Sequence, residues 1–228
     1  MTNIVPLNNQ SHRDLRVMAL VSDERNFVAV VAGEFPHLAP HYPIFFSKDS
    51  ETGAFYCGAM LGFDEGENLF VAEGRNVYRP LNLQRGPFFV AGSDIAIDLD
   101  SPKVGSGELL FDESGAPSVY LKSIMALFRD LVPGMEQTRI FIEVLLGLKL
   151  IEPIDINLSF DDGTRRSLAG LYTINQEALR DLADADVLML FRRGYLHLIY
   201  LMISSLAQVK FLAQRKNTAL RAGLGLPR

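Results

Sequence analysis

The first half of the chain alternates short apolar runs with polar turns. Between residues 42 and 90, aromatic and β-branched runs are separated by the glycine-containing segments 48–53, 62–66 and 73–74. Aromatic and β-branched side chains suit a pleated, half-buried strand, and glycine supplies the positive φ that a tight turn demands. This pattern predicts several short β-strands joined by tight turns.

Further strands are predicted before residue 42 and after residue 90. Residues 15–20 and 27–31 predict two strands linked by the polar turn 22–26, and residues 95–97 predict another. The three prolines of segment 33–43 exclude regular structure throughout it. Residues 100–107, with one proline and two glycines, predict a linker.

Beyond residue 107 the apolar spacing changes to three and four residues, which is typical of amphipathic helices. Ser118 is predicted to cap a helix that ends at Pro133-Gly134, and a second helix is predicted to follow. The apolar face of the first helix contains Leu121, Ile124, Met125, Phe128 and Leu131, and that of the second contains Phe141, Val144, Leu145 and Leu148.

The last third of the chain predicts one hairpin and three helices. Residues 154–160 alternate apolar and polar, Asp162-Gly163 favours a tight turn, and residues 166–174 return as the partner strand. Asn175 is predicted to cap a short helix to residue 182, and residues 185–191 predict another. After Gly194 a long amphipathic helix begins; its apolar stretch 195–213 carries too many polar residues to predict a membrane span.

Strands first, with helices and one hairpin later, predict an α+β fold. Its N-terminal region is expected to be mostly antiparallel β, followed by a helical region with one β-hairpin. We expect a single domain over residues 1–228, with a β-rich subdomain at 14–100 and a helical subdomain at 107–216.

Composition narrows the function classes. The net charge of −5 argues against sequence-independent nucleic-acid binding. The lone Cys57 lies in an apolar run and is expected to be buried and unreactive.

The first thirty residues are too polar for a signal-peptide core, which predicts a cytoplasmic protein, with export by a non-classical route left open. Late basic residues, including Lys210 and Arg215, fit a solvated helix end or a contact surface equally well.

Several short motifs follow one another in a distinctive order. They are Tyr42-Pro43-Ile44-Phe45-Phe46, Gly66-Glu67-Asn68-Leu69-Phe70, Tyr78-Arg79-Pro80 with Arg85, Pro87 and Phe88, Leu110-Phe111-Asp112, Asp162-Gly163, Gly170-Leu171-Tyr172-Thr173-Ile174, and Gly194-Tyr195-Leu196 with Ser204-Ser205-Leu206. This collinear order resembles the bacterial SapC family over residues 5–216.

The resemblance implies a bacterial protein with a surface-layer connection. Many members resemble accessory proteins encoded near outer-membrane receptors and flavin-dependent halogenase-like enzymes. The resemblance brings no catalytic residues with it. At one position the chain departs from the family pattern, because Gly86 stands where a bulky residue would be expected.

Candidate catalytic and metal-binding residues are few in this chain. His37 and His41, with Glu34, have a spacing that suits a metal on a helix, but the surrounding prolines favour a polar loop. Two acidic groups, Asp64-Glu65-Glu67 and Asp98 with Asp100, fit turns or strand ends as well as a calcium or acid–base site. We predict no metal, no cofactor and no catalytic residues.

The candidate ligand-binding residues are Tyr42, Glu67, Arg79, Arg85, His41 and His197. Arginine forks bind carboxylates, and a pocket walled by Tyr42, Tyr78 and Phe88 could hold a peptide terminus or an acidic ligand. The alternative is an internal ion pair of these arginines with Glu67 or Glu73. His197, with Ser204 and Gln208, lines one face of the last helix, either for a cleft or for structural hydrogen bonds.

Two function hypotheses follow. The first is a non-catalytic accessory protein that binds a protein or peptide and is linked to cell-envelope or nutrient-uptake systems. The second is an enzyme with a cleft between the β-rich and helical regions, acting on a small acidic or peptide ligand. Convergence of His41, Glu67, Arg79 and His197 in a deep pocket would favour the enzyme. The oligomeric state is left unassigned.

Overall fold

The computed structural model describes residues 3–19, 24–71, 77–92 and 94–223. It is a mixed α/β protein with 39% helix and 25% strand, and the strand pairings within the described residues are antiparallel. In chain order the elements are β1 (Ile4–Pro6), β2 (Arg16–Val17), β3 (Phe27–Ala29), a 3₁₀ turn (Ala32–Glu34), α1 (Phe35–Leu38), β4 (Ile44–Lys48), β5 (Phe55–Met60), α2 (Leu81–Gln84), β6 (Phe88–Ala91), β7 (Asp94–Asp98), β8 (Glu108–Leu109), α3 (Val119–Gly147), β9 (Ile151–Ser159), β10 (Arg165–Ile174), α4 (Gln176–Arg180), α5 (Asp184–Arg192), α6 (Tyr195–Ser205) and α7 (Gln208–Gly223).

The chain forms two compact units that are discontinuous in sequence. The first unit combines Met1–Asp23 with Leu81–Pro133, and the second combines Glu24–Pro80 with Gly134–Arg228. These limits differ from the subdomain limits 14–100 and 107–216 suggested by the sequence. That the whole chain is one domain stays a prediction.

The first unit is built on a three-stranded sheet with the order β1-β7-β6, beside the two-stranded ladder of β2 and β8. Its core contains apolar side chains from the sheet and from the start of α3, among them Phe88, Ile97 and Leu121. The predicted helix cap is confirmed, because the Leu121 N–H donates to Ser118 Oγ at 3.2 Å.

The second unit is built on a five-stranded sheet with the order β3-β5-β4-β10-β9. Two predicted turns are confirmed: the turn predicted at 48–53 forms the tip between β4 and β5, and Asp162-Gly163 lies in the turn of the predicted hairpin, between β9 and β10. Along β9 exposed and half-buried residues alternate, as the apolar–polar alternation predicted. The predicted cap of α4 is also confirmed, since the Ala178 N–H donates to Asn175 Oδ1 at 2.8 Å.

A buried hydrogen bond joins α6 to the centre of this sheet. The Ile44 N–H of β4 donates to Ser205 Oγ at 3.0 Å, and the Ser205 hydroxyl donates to the Met202 carbonyl at 2.7 Å. Ser205, Ile44, Ile199 and Met202 have no exposed surface. The inner face of α6 is therefore part of the core of this unit.

The predicted helix end at Pro133-Gly134 is wrong, because α3 continues through both residues for 29 residues in all. Pro133 is exposed, and so is Arg129, whose carbonyl loses the i to i−4 bond where water can replace it. On the buried side, a β-carbon on Gly134 would lie 3.1 Å from Val31 Cβ. Thr138 accepts a 2.8 Å hydrogen bond from the Ala32 N–H, so tertiary contacts stabilise the helix across the proline.

The strands predicted at 15–20 and 27–31 are present as the shorter β2 and β3, which pair with β8 and β5, respectively; the turn predicted at 22–26 lies partly outside the described residues. Two other predictions are corrected. The long final helix is divided by a tight turn at Leu206 and Ala207, whose N–H groups bond three residues back. The predicted layout, strands first and helices later, agrees only in part with the structure. Short helices lie between the early strands, and the late hairpin of β9 and β10 belongs to the same sheet as β3, β4 and β5. The turn predicted at 73–74 lies outside the described residues.

Candidate functional site

A groove of about 740 Å³ runs along one face of α7 in the second unit. Its opposite wall is the segment 68–71, and most of its accessible lining is apolar. The described lining residues are Asn68, Leu69, Val71, Phe211, Gln214, Arg215, Thr218, Ala219 and Ala222. The α7 members recur at three- and four-residue spacing, which places them on one side of the helix.

Behind the wall of this groove lies a series of aromatic contacts. The guanidinium carbon of Arg215 lies 4.6 Å from the centre of the Phe70 ring, and the Phe70 and Tyr42 ring centres are 4.4 Å apart. The Tyr42 hydroxyl donates to the Tyr78 carbonyl at 2.8 Å. The Arg215 cation over the Phe70 ring and the tilted contact of Phe70 with Tyr42 hold α7 against the 68–71 wall. Of the predicted pocket residues, the structure therefore brings together Tyr42 and Tyr78.

A buried carboxylate ends this series. Glu34 is 2% exposed. It accepts a 2.9 Å hydrogen bond from the Val31 N–H and a 3.1 Å hydrogen bond from the Tyr78 hydroxyl. His37 stacks on the Tyr78 ring with a centroid distance of 5.0 Å. These contacts explain why a glutamate is buried here: it caps the 3₁₀ turn and positions Tyr78.

The histidine pair does not share a helix. His37 is in α1, which ends at Leu38, and the half-buried His41 follows in the loop, edge-on to Tyr42. Within the described ranges 3–19, 24–71, 77–92 and 94–223, no group of three His, Cys, Asp or Glu side chains is arranged to hold a metal ion.

A charged cluster joins α7 to the turn that precedes the groove wall. Lys216 donates to Asp64 Oδ2 at 2.7 Å and also to Glu67, and Arg166 Nε donates to Asp64 Oδ1 at 2.6 Å. The pKa of Asp64 is lowered chiefly by its bond with Lys216 and then by that with Arg166. Burial lowers the pKa of Lys216, but its bonds to the two carboxylates outweigh this effect and raise it. Glu67 is therefore paired with Lys216, and we assign it to holding the turn against α7.

The remaining candidate residues, His197, Arg79 and Arg85, are not among the described residues that line the groove. His197 is exposed on α6 and Arg79 is half-buried after the 68–71 segment. Arg85 belongs to the first unit, where it holds its own loop: Nε donates to Asn82 Oδ1 at 3.0 Å and Nη1 to the Phe88 carbonyl at 2.6 Å. In the same loop Gly86 has φ +57°, which a bulky residue would adopt only with strain. Glu73 lies outside the described residues.

Asp98 with Asp100 forms a turn, which was one of the two predictions for this acidic group, and Asp49 lies in a turn as well. Asp98 Oδ1 accepts from the Asp100 N–H at 3.1 Å, and Asp49 Oδ1 accepts from Thr52 at the tip between β4 and β5. These turn hydrogen bonds lower the pKa of Asp49. Cys57 is 1% exposed in β5, which confirms the predicted burial, and burial raises the pKa of its thiol, so the reactive thiolate is disfavoured.

The residues of α7 that form the groove were not among the predicted binding residues; Phe211 was missed altogether, and Arg215 was noted only as one of the late basic residues. The apolar pattern of the final helix predicted which residues face the core, but Phe211 lies outside that pattern and is 52% exposed. A large aromatic residue on the polar side of an amphipathic helix was the available signal.

The fold and groove define a mixed α/β protein with an open, mostly apolar surface site. The SapC family model matches residues 7–212 of the chain. The chain therefore belongs to the SapC family. No curated protein and no solved structure matches it.

Proposed function

We propose that this SapC-family protein is a non-catalytic accessory protein that binds a protein or peptide partner in the groove between α7 and the 68–71 segment. By the resemblance to accessory proteins noted above, we place the partner in cell-envelope or nutrient-uptake systems. The observation that carries the proposal is the apolar lining of the groove, because apolar concave surfaces with a few polar groups bind apolar side chains of a partner.

The polar residues of the groove support a peptide as the ligand. Gln214 carries an amide that can donate and accept hydrogen bonds, as a peptide backbone requires. Asn68 holds its own segment, since its Oδ1 accepts from the Phe70 N–H at 2.9 Å. Thr218 and the alanines of α7 leave room for a partner backbone to approach. None of His41, Glu67, Arg79 and His197 is among the described lining residues, so we assign no reaction to the groove.

A photo-crosslinking experiment tests this proposal. Benzoylphenylalanine is placed at Thr218 in the groove and, as a control, at the exposed Ser123 of α3. We expect illumination in the native bacterium to attach one protein at position 218, and mass spectrometry to identify it as an envelope or uptake component. A tryptophan that fills the groove, Ala219→Trp, should abolish the product, whereas Ala126→Trp on α3 should not. An identical product from position 123, or one that persists in Ala219→Trp, contradicts the proposal.

A further inference from the structure

Charge is strongly segregated along the chain. Residues 187–228 contain seven of the 22 Lys and Arg residues and none of the 27 Asp and Glu residues. This C-terminal segment therefore carries +7, residues 1–186 carry −12, and the two together give the net −5. Such an asymmetry is typical of a chain whose basic segment meets an anionic surface.

The helices of this segment also expose large apolar side chains. Phe191 at the end of α5 is 68% exposed, Tyr200 of α6 is 59% exposed and Phe211 of α7 is 52% exposed. Val187 and Leu188 of α5 are exposed as well. Aromatic side chains of this kind, next to arginine and lysine, are typical of helices that lie in a membrane interface.

Exposed residues recur along the outer side of α6. His197, Tyr200 and Ser204 are exposed and follow one another at three- and four-residue spacing, which places them on one side of this helix. Beyond the tight turn at Leu206, Ala207 and Phe211 are exposed as well.

The cations available to a partner are on the same helices. Lys210 is exposed next to Phe211, and Arg192 and Arg193 are exposed next to Phe191. Lys216 and Arg221, in contrast, bond to the acidic groups of Asp64 and Asp161.

The polar residues of 195–213 led us to predict no membrane span, but by length and composition alone Tyr195–Ala222 would be apolar enough to cross a bilayer, and only 22% of its most apolar 18-residue window is buried. Its inner face, however, supplies Ile199, Met202 and Leu212 to the core of the second unit. A helix bound in this way can present its outer side to a membrane while the inner side stays on the protein.

From these observations we propose that the outer face of α5, α6 and α7 docks on the surface of an anionic lipid bilayer. Phe191 and Tyr200 would enter the interface between headgroups and acyl chains, and Arg192, Arg193 and Lys210 would contact the anionic headgroups. The combination favours lipid over nucleic acid, because phosphate-backbone contacts leave exposed aliphatic side chains such as Leu188 without a favourable environment. This face meets the groove at Phe211, which lines the groove, but the residues proposed to contact lipid are outside the groove lining.

Vesicle flotation with the full-length protein tests the proposal. The probes are vesicles of phosphatidylcholine alone and of phosphatidylcholine with phosphatidylglycerol, each at low and high salt. We expect binding to the anionic vesicles only, reduced by salt. The variants Phe191→Ser/Tyr200→Ser and Arg192→Gln/Arg193→Gln/Lys210→Gln should each weaken binding by roughly tenfold or more. The matched control, Met135→Ser/Lys122→Gln on α3, should bind as the wild type does.

Several outcomes would overturn the proposal. They are absence of wild-type binding to anionic vesicles, equal binding to neutral vesicles, and equal loss in the α3 control. A protein crosslinked from benzoylphenylalanine at Tyr200, in place of lipid, would identify the face as a protein interface instead.

All altered side chains are exposed, and circular dichroism of each variant checks its fold. If the double variant Phe191→Ser/Tyr200→Ser does not fold, Tyr200→Ser alone is used. Ala219→Trp should float normally, so failure here and failure of the groove proposal are separable.

Discussion

Lys216 of α7 donates a hydrogen bond to Asp64 at 2.7 Å, across 152 residues of sequence. Asp64 lies in the turn just before the groove wall, and Lys216 lies between the groove residues Arg215 and Thr218. The side chain of Lys216 is only 13% exposed. The pair therefore fixes the separation of the two groove walls, in a setting where loss of one partner leaves a partly buried charge.

Replacing this lysine should loosen the groove. We expect Lys216→Met to lower the free energy of unfolding by about 1–3 kcal/mol, because Asp64 and Glu67 lose a shared, partly buried donor. Urea denaturation measures the change. Lys210→Met, an exposed change on the same helix, should alter stability by less than about 0.5 kcal/mol. Equal effects of the two substitutions would show that the cluster does not hold α7.

The same cluster should make stability depend on pH in acid. The folded pKa of Asp64 lies below its ordinary value of 3.8, so its stabilising effect is present above that value and is lost as pH falls through the lower, folded pKa. Wild type should therefore lose more stability than Asp64→Asn between neutral pH and the acid end of this window.

Urea denaturation at a series of pH values measures this difference. The lowered pKa values of Asp112 and Asp162 arise from their own turns and remain in the variant, so they cancel from the comparison. Parallel pH profiles for wild type and Asp64→Asn would be the contrary result.

Two adjacent serines of α6 provide a matched pair. Ser205 is buried and accepts the Ile44 N–H, whereas Ser204 is exposed and bonds to the Leu201 carbonyl of its own helix. We expect Ser205→Ala to lower the free energy of unfolding by about 1–3 kcal/mol, because it leaves the buried Ile44 N–H without an acceptor. Ser204→Ala should change stability by less than about 0.5 kcal/mol. Thermal unfolding followed by circular dichroism compares the two, and a smaller loss for Ser205→Ala would contradict the assignment.

Gly62 is required by close backbone packing. A β-carbon there would lie 2.9 Å from the carbonyl carbon of Glu67, which belongs to the folded turn and cannot move like a flexible side chain. Gly62→Ala should therefore destabilise the protein by about 1–3 kcal/mol. Gly147→Ala, at the end of α3, meets no atom within 4 Å and should be neutral or slightly stabilising. Urea denaturation of both variants measures the change in the free energy of unfolding. If Gly62→Ala left this free energy unchanged, the backbones of Gly62 and Glu67 could not be as close as the structure shows.

Local patterns predicted local structure well. The turn between β9 and β10, the strand alternation of β9 and the caps at Ser118 and Asn175 follow from one or two neighbouring residues and are confirmed. The end of a helix at Pro133 was predicted by the same local reasoning and is wrong. The reason is that Gly134 and Thr138 contact Val31 and Ala32, a hundred residues earlier in the chain.

The candidate site was predicted only in part. Tyr42 and Tyr78 were expected to share a pocket wall and do lie together, because both are anchored in the aromatic segment of the second unit. Arg85 was grouped with them by nearness in sequence, but it belongs to a different compact unit and holds its own loop. Glu67 was a candidate ligand-binding residue, with an ion pair to an arginine as the alternative, whereas the structure pairs it with Lys216.

The sequence by itself determined the family, the strand and helix types, and the segregation of positive charge after residue 186, since each depends on residue order alone. Tertiary structure decided which strands pair, that α3 continues through its proline, and that α7 forms a groove with the 68–71 segment. These features depend on contacts between residues far apart in the chain. Such contacts form only when apolar faces are buried together, and no local pattern specifies which faces meet.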